Sequence, residues 1–482
     1  MVGIDSPARP TRSGRLGFVV NGFILVLTLS PFLIGDAGGQ IAKPIAFLFL
    51  TCSAGLYLII KSPSLYLRYA LWLWFLVPFI RRVFDLSSGY SEMNIYGLAP
   101  VIVSLLPFIA LARLRGSFPV WNPLLPSLIA VTYGWVIGVV AVGPAPATFA
   151  LTQWVAPLGL ALHIAGCWQE YDQIRKEIVR VFLWALVILG IYGMVQYALL
   201  PPWDLYWMTH APINSIGQPH PFKVRVFSTM NSPMVLAPIV LAGILLIFNT
   251  AGRIGWISVG FGLATLLLSL VRSSWGALVV GFAVLWMLVF RYQPARALRM
   301  GVVGGILIAL LSTVIVATPL FDKIQQRFDT LDSYEHDVSF HARERLYAQL
   351  SEEVMFEVVG RGLGAVGISQ ALSGSSNANT TFDSGALELP LVLGIFGSFL
   401  YITPFILILV SAVRSQHLGR DPTCQSAIAV MAVYFVQMIF ANRLAGPASF
   451  AFFVMVGLLL AAKRHFWQQE NKLRQNPRAD SI

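Results

Sequence analysis

Charge is what this sequence has least of. Only 11% of its 482 residues are Asp, Glu, Lys or Arg, against roughly 25% in a soluble globular domain. Cysteine is scarce as well. Cys52, Cys167 and Cys424 lie far apart, in or beside apolar stretches and without metal-ligand spacing, so they read as small buried hydrophobes. No run of basic residues is dense enough to mark a nucleic-acid surface, whatever the formal net charge of +11. Short alternating strands are absent, which excludes a membrane β-barrel. The N-terminus carries Arg9, Arg12 and Arg15 before the first apolar run but no small-residue cleavage site; it reads as an uncleaved anchor.

What the chain does have is hydrocarbon. Hydrophobic residues make up 57% of it, in runs of about 20 that recur from end to end. At 1.5 Å rise per residue each run is long enough for a bilayer core of about 30 Å. The expected spans lie near 16–34, 41–60, 65–80, 95–112, 123–142, 149–167, 178–200, 233–248, 254–271, 274–290, 300–318, 385–412, 425–441 and 445–463, about 14 transmembrane helices in all. The segment 65–80 is short, and 254–271 nearly touches 274–290 at Arg272-Ser273-Ser274. The fold class is therefore all-α, a polytopic helical membrane protein. It divides into helices 1 to 11 over 1–318, a large loop over 319–384, helices 12 to 14 over 385–463, and a polar tail over 464–482.

Basic residues orient such a protein, because Lys and Arg collect in cytoplasmic loops. With the N-terminus inside, 21 of the 33 Lys and Arg fall on the cytoplasmic side, five in the long loop and seven elsewhere outside. Both termini are thus expected in the cytoplasm, with the long loop outside, before the third-last helix. Two outer segments stand out. Residues 201–232 hold Trp203, Tyr206, Trp207, His210, His220, Lys223 and Arg225, where an interfacial aromatic anchor is the ordinary reading and a sugar platform the functional one. Within 319–384, residues 338–356 read as an amphipathic helix, followed by a break at Gly360-Arg361-Gly362-Leu363-Gly364 and a flexible Ser373–Asn377.

Several arginines oppose the orientation trend. Arg81 and Arg82 end the third span, Arg225 precedes the eighth, Arg272 lies between the ninth and tenth, and Arg443 separates the last two. Arginine's planar fork stays charged and grips phosphate oxygens in pairs, so this set suits a pyrophosphate at the outer face. Arg81 and Arg82 have a plainer alternative, pairing with Asp85 one helical turn on. One acid shares the location: Asp383 stands where the long polar loop meets a hydrophobic span, a place where a charge is costly unless used. Its plainer alternative is a helix N-cap.

Four stretches together resemble the O-antigen ligase and polymerase superfamily, the Wzy-type membrane enzymes of bacterial surface polysaccharide assembly. Arg225-Val226-Phe227-Ser228-Thr229-Met230-Asn231-Ser232-Pro233 resembles that family's arginine-containing segment leading into a span. Val271-Arg272-Ser273-Ser274-Trp275-Gly276-Ala277 is similar to its Ser-Arg-Gly-Ala turn, offset by one serine. Arg343 through Gly364 is similar to its loop helix and Gly-x-Gly break. Asp383-Ser384-x-x-Leu387 with Gly394 and Gly397 resembles its His-Asn-x-x-Leu…Gly-x-x-Gly signature, with an acid where the ligases have histidine. The likeness covers about residues 220–400.

The resemblance implies a GT-C-like architecture in the bacterial inner membrane and an exopolysaccharide polymerase rather than a ligase. It implies Asp383 as general base, with His341, His336 and Glu388 as alternatives, and pyrophosphate contacts from Arg225, Arg272, Arg443, Arg82 and Arg81. Arg343 and Arg361 would support the loop. Implied partners are undecaprenyl-pyrophosphate-linked oligosaccharides as donor and acceptor, the lipid bilayer, and a chain-length regulator among other assembly proteins; no nucleic acid and no cofactor or metal is implied. A flippase or exporter of lipid-linked sugars is the competing expectation, with charges near mid-span and paired broken helices as its marks.

Overall fold

The computed structural model describes residues 12–34, 42–91, 94–110, 122–211, 215–250, 252–316, 358–367, 369 and 384–475. Among these the secondary structure is helical, apart from one isolated bridge between Gly217 and Val224. The helices are α1 Arg12–Ile34, α2 Ala42–Lys61, α3 Pro63–Ser88, α4 Leu98–Ala110, α5 Leu125–Ala141, α6 Pro144–Gly166, α7 Tyr171–Leu199 and α8 Pro202–His210. They continue with α9 Pro233–Thr250, α10 Arg253–Leu268, α11 Arg272–Tyr292, α12 Pro294–Val316, α13 Gly385–Arg414, α14 Gln416–Arg420, α15 Pro422–Gln437 and α16 Phe450–Gln475. Nine described helices are long and apolar enough to cross a membrane, and three shorter apolar ones accompany them. The protein is thus an all-helical, polytopic membrane protein.

Burial sorts the helices into two layers. In α3, α6, α9 and α16 most of the apolar window is buried, and α16 is buried on every side from Phe450 to Ala462, as a helix apolar all round should be. α6, α15 and α9 pack in sequence around it. The outer helices α2, α5 and α11 bury about a third of their windows. Their outward faces carry Phe49, Val140 and Val279, all exposed, which suits hydrocarbon surroundings rather than water.

The third span is longer than its hydropathy suggests. α3 runs on to Ser88, so Arg81, Arg82 and Asp85 lie inside its last two turns rather than after it; each of these charges finds a partner there. Opposite that region the start of α7, the end of α9 and the start of α15 are joined by a second polar network. Arg175 pairs with Asp421 at 3.0 Å, Asp421 caps α15 by accepting from the N–H groups of Thr423 and Cys424, and Asn249 donates to Gln425 Oε1 at 3.1 Å. Cys167 and Cys424 are buried and Cys52 is half-buried; none is in a disulfide.

α13 is broken. Gly394 has φ +70° and ψ 172°, a region essentially closed to residues with a side chain. The carbonyls freed before the break are taken by the Gly360–Gly364 segment: Arg361 N–H donates to Leu391 O at 2.8 Å and Gly362 N–H to Val392 O at 2.9 Å. Backbone lies on backbone here, since a Cβ on Gly394 would stand 2.4 Å from Val358 O and one on Gly360 2.3 Å from Gly394 N. The glycine-rich stretch expected as a loop break therefore closes the gap in a helix. The expected amphipathic helix over 338–356 and the Ser373–Asn377 stretch lie outside the described residues.

Candidate functional site

The best-organised polar centre begins at Arg82, whose side chain has no exposed surface. It pairs with Asp204 of α8 at 3.2 Å, not with Asp85. Its guanidinium also donates to the carbonyls of Ser228 and Met230 and lies 4.7 Å from the centre of the Phe227 ring. Asp204 Oδ2 accepts from Tyr192 Oη at 2.7 Å and Gln196 Nε2 at 2.8 Å. Burial pushes the Asp204 carboxyl above the usual carboxylate range, while the Arg82 charge and those two hydrogen bonds act in the opposite direction. Gln196 Oε1 in turn accepts from the N–H groups of Phe227 and Ser228.

The Arg225–Ser232 segment is thereby held from every side. Ser228 adopts φ +49°, Thr229 Oγ1 donates to Phe75 O at 2.6 Å, and Trp207 Nε1 donates to Asn231 O at 3.1 Å. Trp207 is buried with Leu200, Ile216, Val224 and Phe227 in a small second core. At least this tryptophan of the expected aromatic anchor is an internal support for the loop. Arg81 does pair with Asp85, at 3.3 Å, and lies 5.0 Å from the Trp207 ring centre.

Held in this way, Arg225 reaches the turn between α10 and α11. Its Nε and one terminal nitrogen donate to Ser269 O and Leu270 O, both at 3.2 Å. These are carbonyls that the end of α10 leaves unmatched, in a turn where Leu270 is left-handed at φ +53°. Arg272 follows as the first residue of α11. Two residues on, Ser274 Oγ accepts from Gln437 Nε2 at 3.1 Å, which ties this turn to the end of α15.

The end of α15 carries the rest. Met438 O accepts from Ala386 N–H at 3.1 Å. Gly385 lies so near Asn442 that a Cβ would stand 2.6 Å from its Cα. Asn442 Nδ2 donates to Glu388 Oε1 at 3.0 Å, and Arg443, buried, donates to Met234 O at 2.6 Å beside the start of α9. The cap position of α13 is Ser384, so the N-cap alternative for Asp383 is displaced by one residue. Asp383 itself, His336, His341 and Arg343 lie outside the described residues. Arg361 is exposed, its backbone serving the α13 break.

Hydrogen bonds thus bring the segments that carry Arg225, Arg272, Arg443 and Glu388 together at the start of α13. Arg82 and Arg81 sit behind them as supports. Sequence reading missed Asp204, Gln196 and Asn442, although each leaves a trace: a lone acid among tryptophans, an amide inside a span, and an amide next to Arg443. Among the described residues no three His, Cys, Asp or Glu side chains are placed to share a metal ion. No protein-family model matches the chain, and a search of curated proteins returns no match.

Proposed function

We propose that the chain is a polysaccharide polymerase of the O-antigen ligase and polymerase type. In this reading it joins undecaprenyl-pyrophosphate-linked oligosaccharide repeat units at the periplasmic face of the bacterial inner membrane, by inverting glycosyl transfer. The observation that carries it is the meeting of the segments that bear Arg225, Arg272 and Arg443, far apart in sequence, at the start of α13.

The chemistry follows from those groups. An acceptor hydroxyl oxygen attacks the anomeric carbon, the bond from that carbon to the pyrophosphate oxygen breaks, and the pyrophosphate leaves with the electron pair. Arg225, Arg272 and Arg443 offset the charge that develops on the leaving group. The hydroxyl proton passes to a carboxylate, Asp383 or, five residues on in sequence, Glu388. Arg82, enclosed by Asp204, Ser228 and Met230, acts as a positioning residue for Arg225.

Replacing Arg272 with alanine tests this reading. Arg272→Ala should abolish polymer while leaving membrane insertion intact, and Asp383→Asn should stop elongation with single lipid-linked repeats accumulating outside. Polymer of ordinary length from Arg272→Ala would overturn the pyrophosphate role. A lipid-linked oligosaccharide flippase is the second reading, favoured by the broken helix α13, since discontinuous helices mark many transport sites. Repeats accumulating on the cytoplasmic side in a deletion strain would decide for it. Ligase transfer to a different acceptor shares the same geometry and is told apart by the identity of the product.

A further inference from the structure

A second candidate site lies on the outer flank of the bundle. A groove of about 840 Å³ runs between the second half of α13, the start of α5 and the end of α16. Its wall from Phe396 to Leu407 is apolar except for Thr403, and it ends at Ser411, Lys463, Arg464 and Trp467. From Phe396 to Ser411 the helix rises about 22 Å, more than the roughly 15 Å that one leaflet contributes to the bilayer core.

Among the described residues the two cations at its mouth have no counter-charge paired with them; Glu470, about two turns on, is engaged with Arg474 at 2.7 Å and His417 at 3.7 Å. Lys463 Nζ donates to Ser411 Oγ at 2.8 Å. Arg464 lies over the Trp467 ring at 4.3 Å, and its Nε is buried with no hydrogen-bond partner among the described residues. A buried guanidinium N–H without an acceptor is costly, and a phosphate oxygen supplies that acceptor together with the missing charge.

We propose that this groove binds an anionic glycerophospholipid, with an acyl chain along α13 and the phosphate between Lys463 and Arg464. A zwitterionic lipid offers the same chains but cancels its phosphate charge with its own amine. Its charged mouth lies by Ser411, near the opposite end of α13 from the arginine cluster, and it does not depend on the glycosyl-transfer reading.

The test uses the full chain reconstituted in nanodiscs containing phosphatidylglycerol and phosphatidylcholine with identical acyl chains, then stripped with detergent. Lipid retained per chain is counted by native mass spectrometry. Wild type should retain phosphatidylglycerol in preference, and a Lys463→Gln/Arg464→Gln double variant should lose that preference by roughly tenfold or more, at about fivefold per basic residue near a membrane surface. Should the double variant fail to fold, Lys463→Gln alone, at an exposed position, should still lower it several-fold. Leu400→Trp, which fills the groove and keeps the charges, should reduce retention of both lipids. Equal retention of the two lipids by wild type, an unchanged preference in the charge variants, or displacement of the lipid by inorganic phosphate would each overturn the proposal.

Discussion

A guanidinium with no access to solvent has to be matched from inside the protein, and Arg82 is matched three ways: by a carboxylate, by two carbonyls and by an aromatic face. Removing one partner of such a pair strands the other, which costs far more than the pair contributes on balance. Arg82→Ala should destabilise the protein by about 3–5 kcal/mol. Arg180→Ala, which breaks a largely exposed contact with Glu177, should cost about 1 kcal/mol or less. Thermal unfolding of the two variants in the same detergent makes the comparison, and equal shifts would refute the hub role of Arg82. Gln196→Leu is the companion case. It leaves the Phe227 and Ser228 N–H groups without their acceptor and Asp204 Oδ2 without one of its donors, at about 1–3 kcal/mol for each stranded group, which the same melting measurement reads.

Among helices and turns, strain collects at one end. Four described residues other than glycine are left-handed: Leu200, Phe222, Ser228 and Leu270. All lie in the turns that frame the arginine cluster. Conformations of this kind persist only where surrounding contacts over-determine them, and they concentrate at functional sites. The break in α13 is a further case. Gly394→Ala should cost at least about 1–3 kcal/mol from backbone strain, plus the displacement of Val358–Val359 that its Cβ would force. Gly276→Ala in α11 meets no neighbouring atom and should be neutral or slightly stabilising, by up to about 1 kcal/mol. Yield and melting temperature of the two variants would separate them, and a Gly394→Ala protein as stable as wild type would mean that α13 tolerates a straight course.

For the whole molecule the outstanding quantity is orientation. The bias of Lys and Arg toward one set of loops leads to the expectation that both termini lie in the cytoplasm. A cysteine at Lys223 should then react with a membrane-impermeant maleimide in spheroplasts, and a cysteine at Lys472 only after lysis. Cys167 and Cys424 are buried and should give little background. Labelling of Lys472→Cys in intact spheroplasts would invert the topology and move the arginine cluster to the cytoplasmic face, where periplasmic polymerisation is impossible.

Hydropathy is a property of each stretch by itself. The sequence alone therefore determined the helical class, and every expected span from 16–34 to 445–463 overlaps a helix. It also marked the Gly360–Gly364 stretch and the out-of-place arginines as unusual. What it could not determine was partnership. Asp85 is three residues from Arg82 and Asp204 more than a hundred, yet Arg82 turns to Asp204 because packing brings α8 against the end of α3. The same holds for the glycine segment that closes the α13 break and for Arg443 reaching α9. A buried charge or an unmatched carbonyl can be satisfied only by whatever lies within about 3 Å of it, and which groups those are is decided when the helices come together.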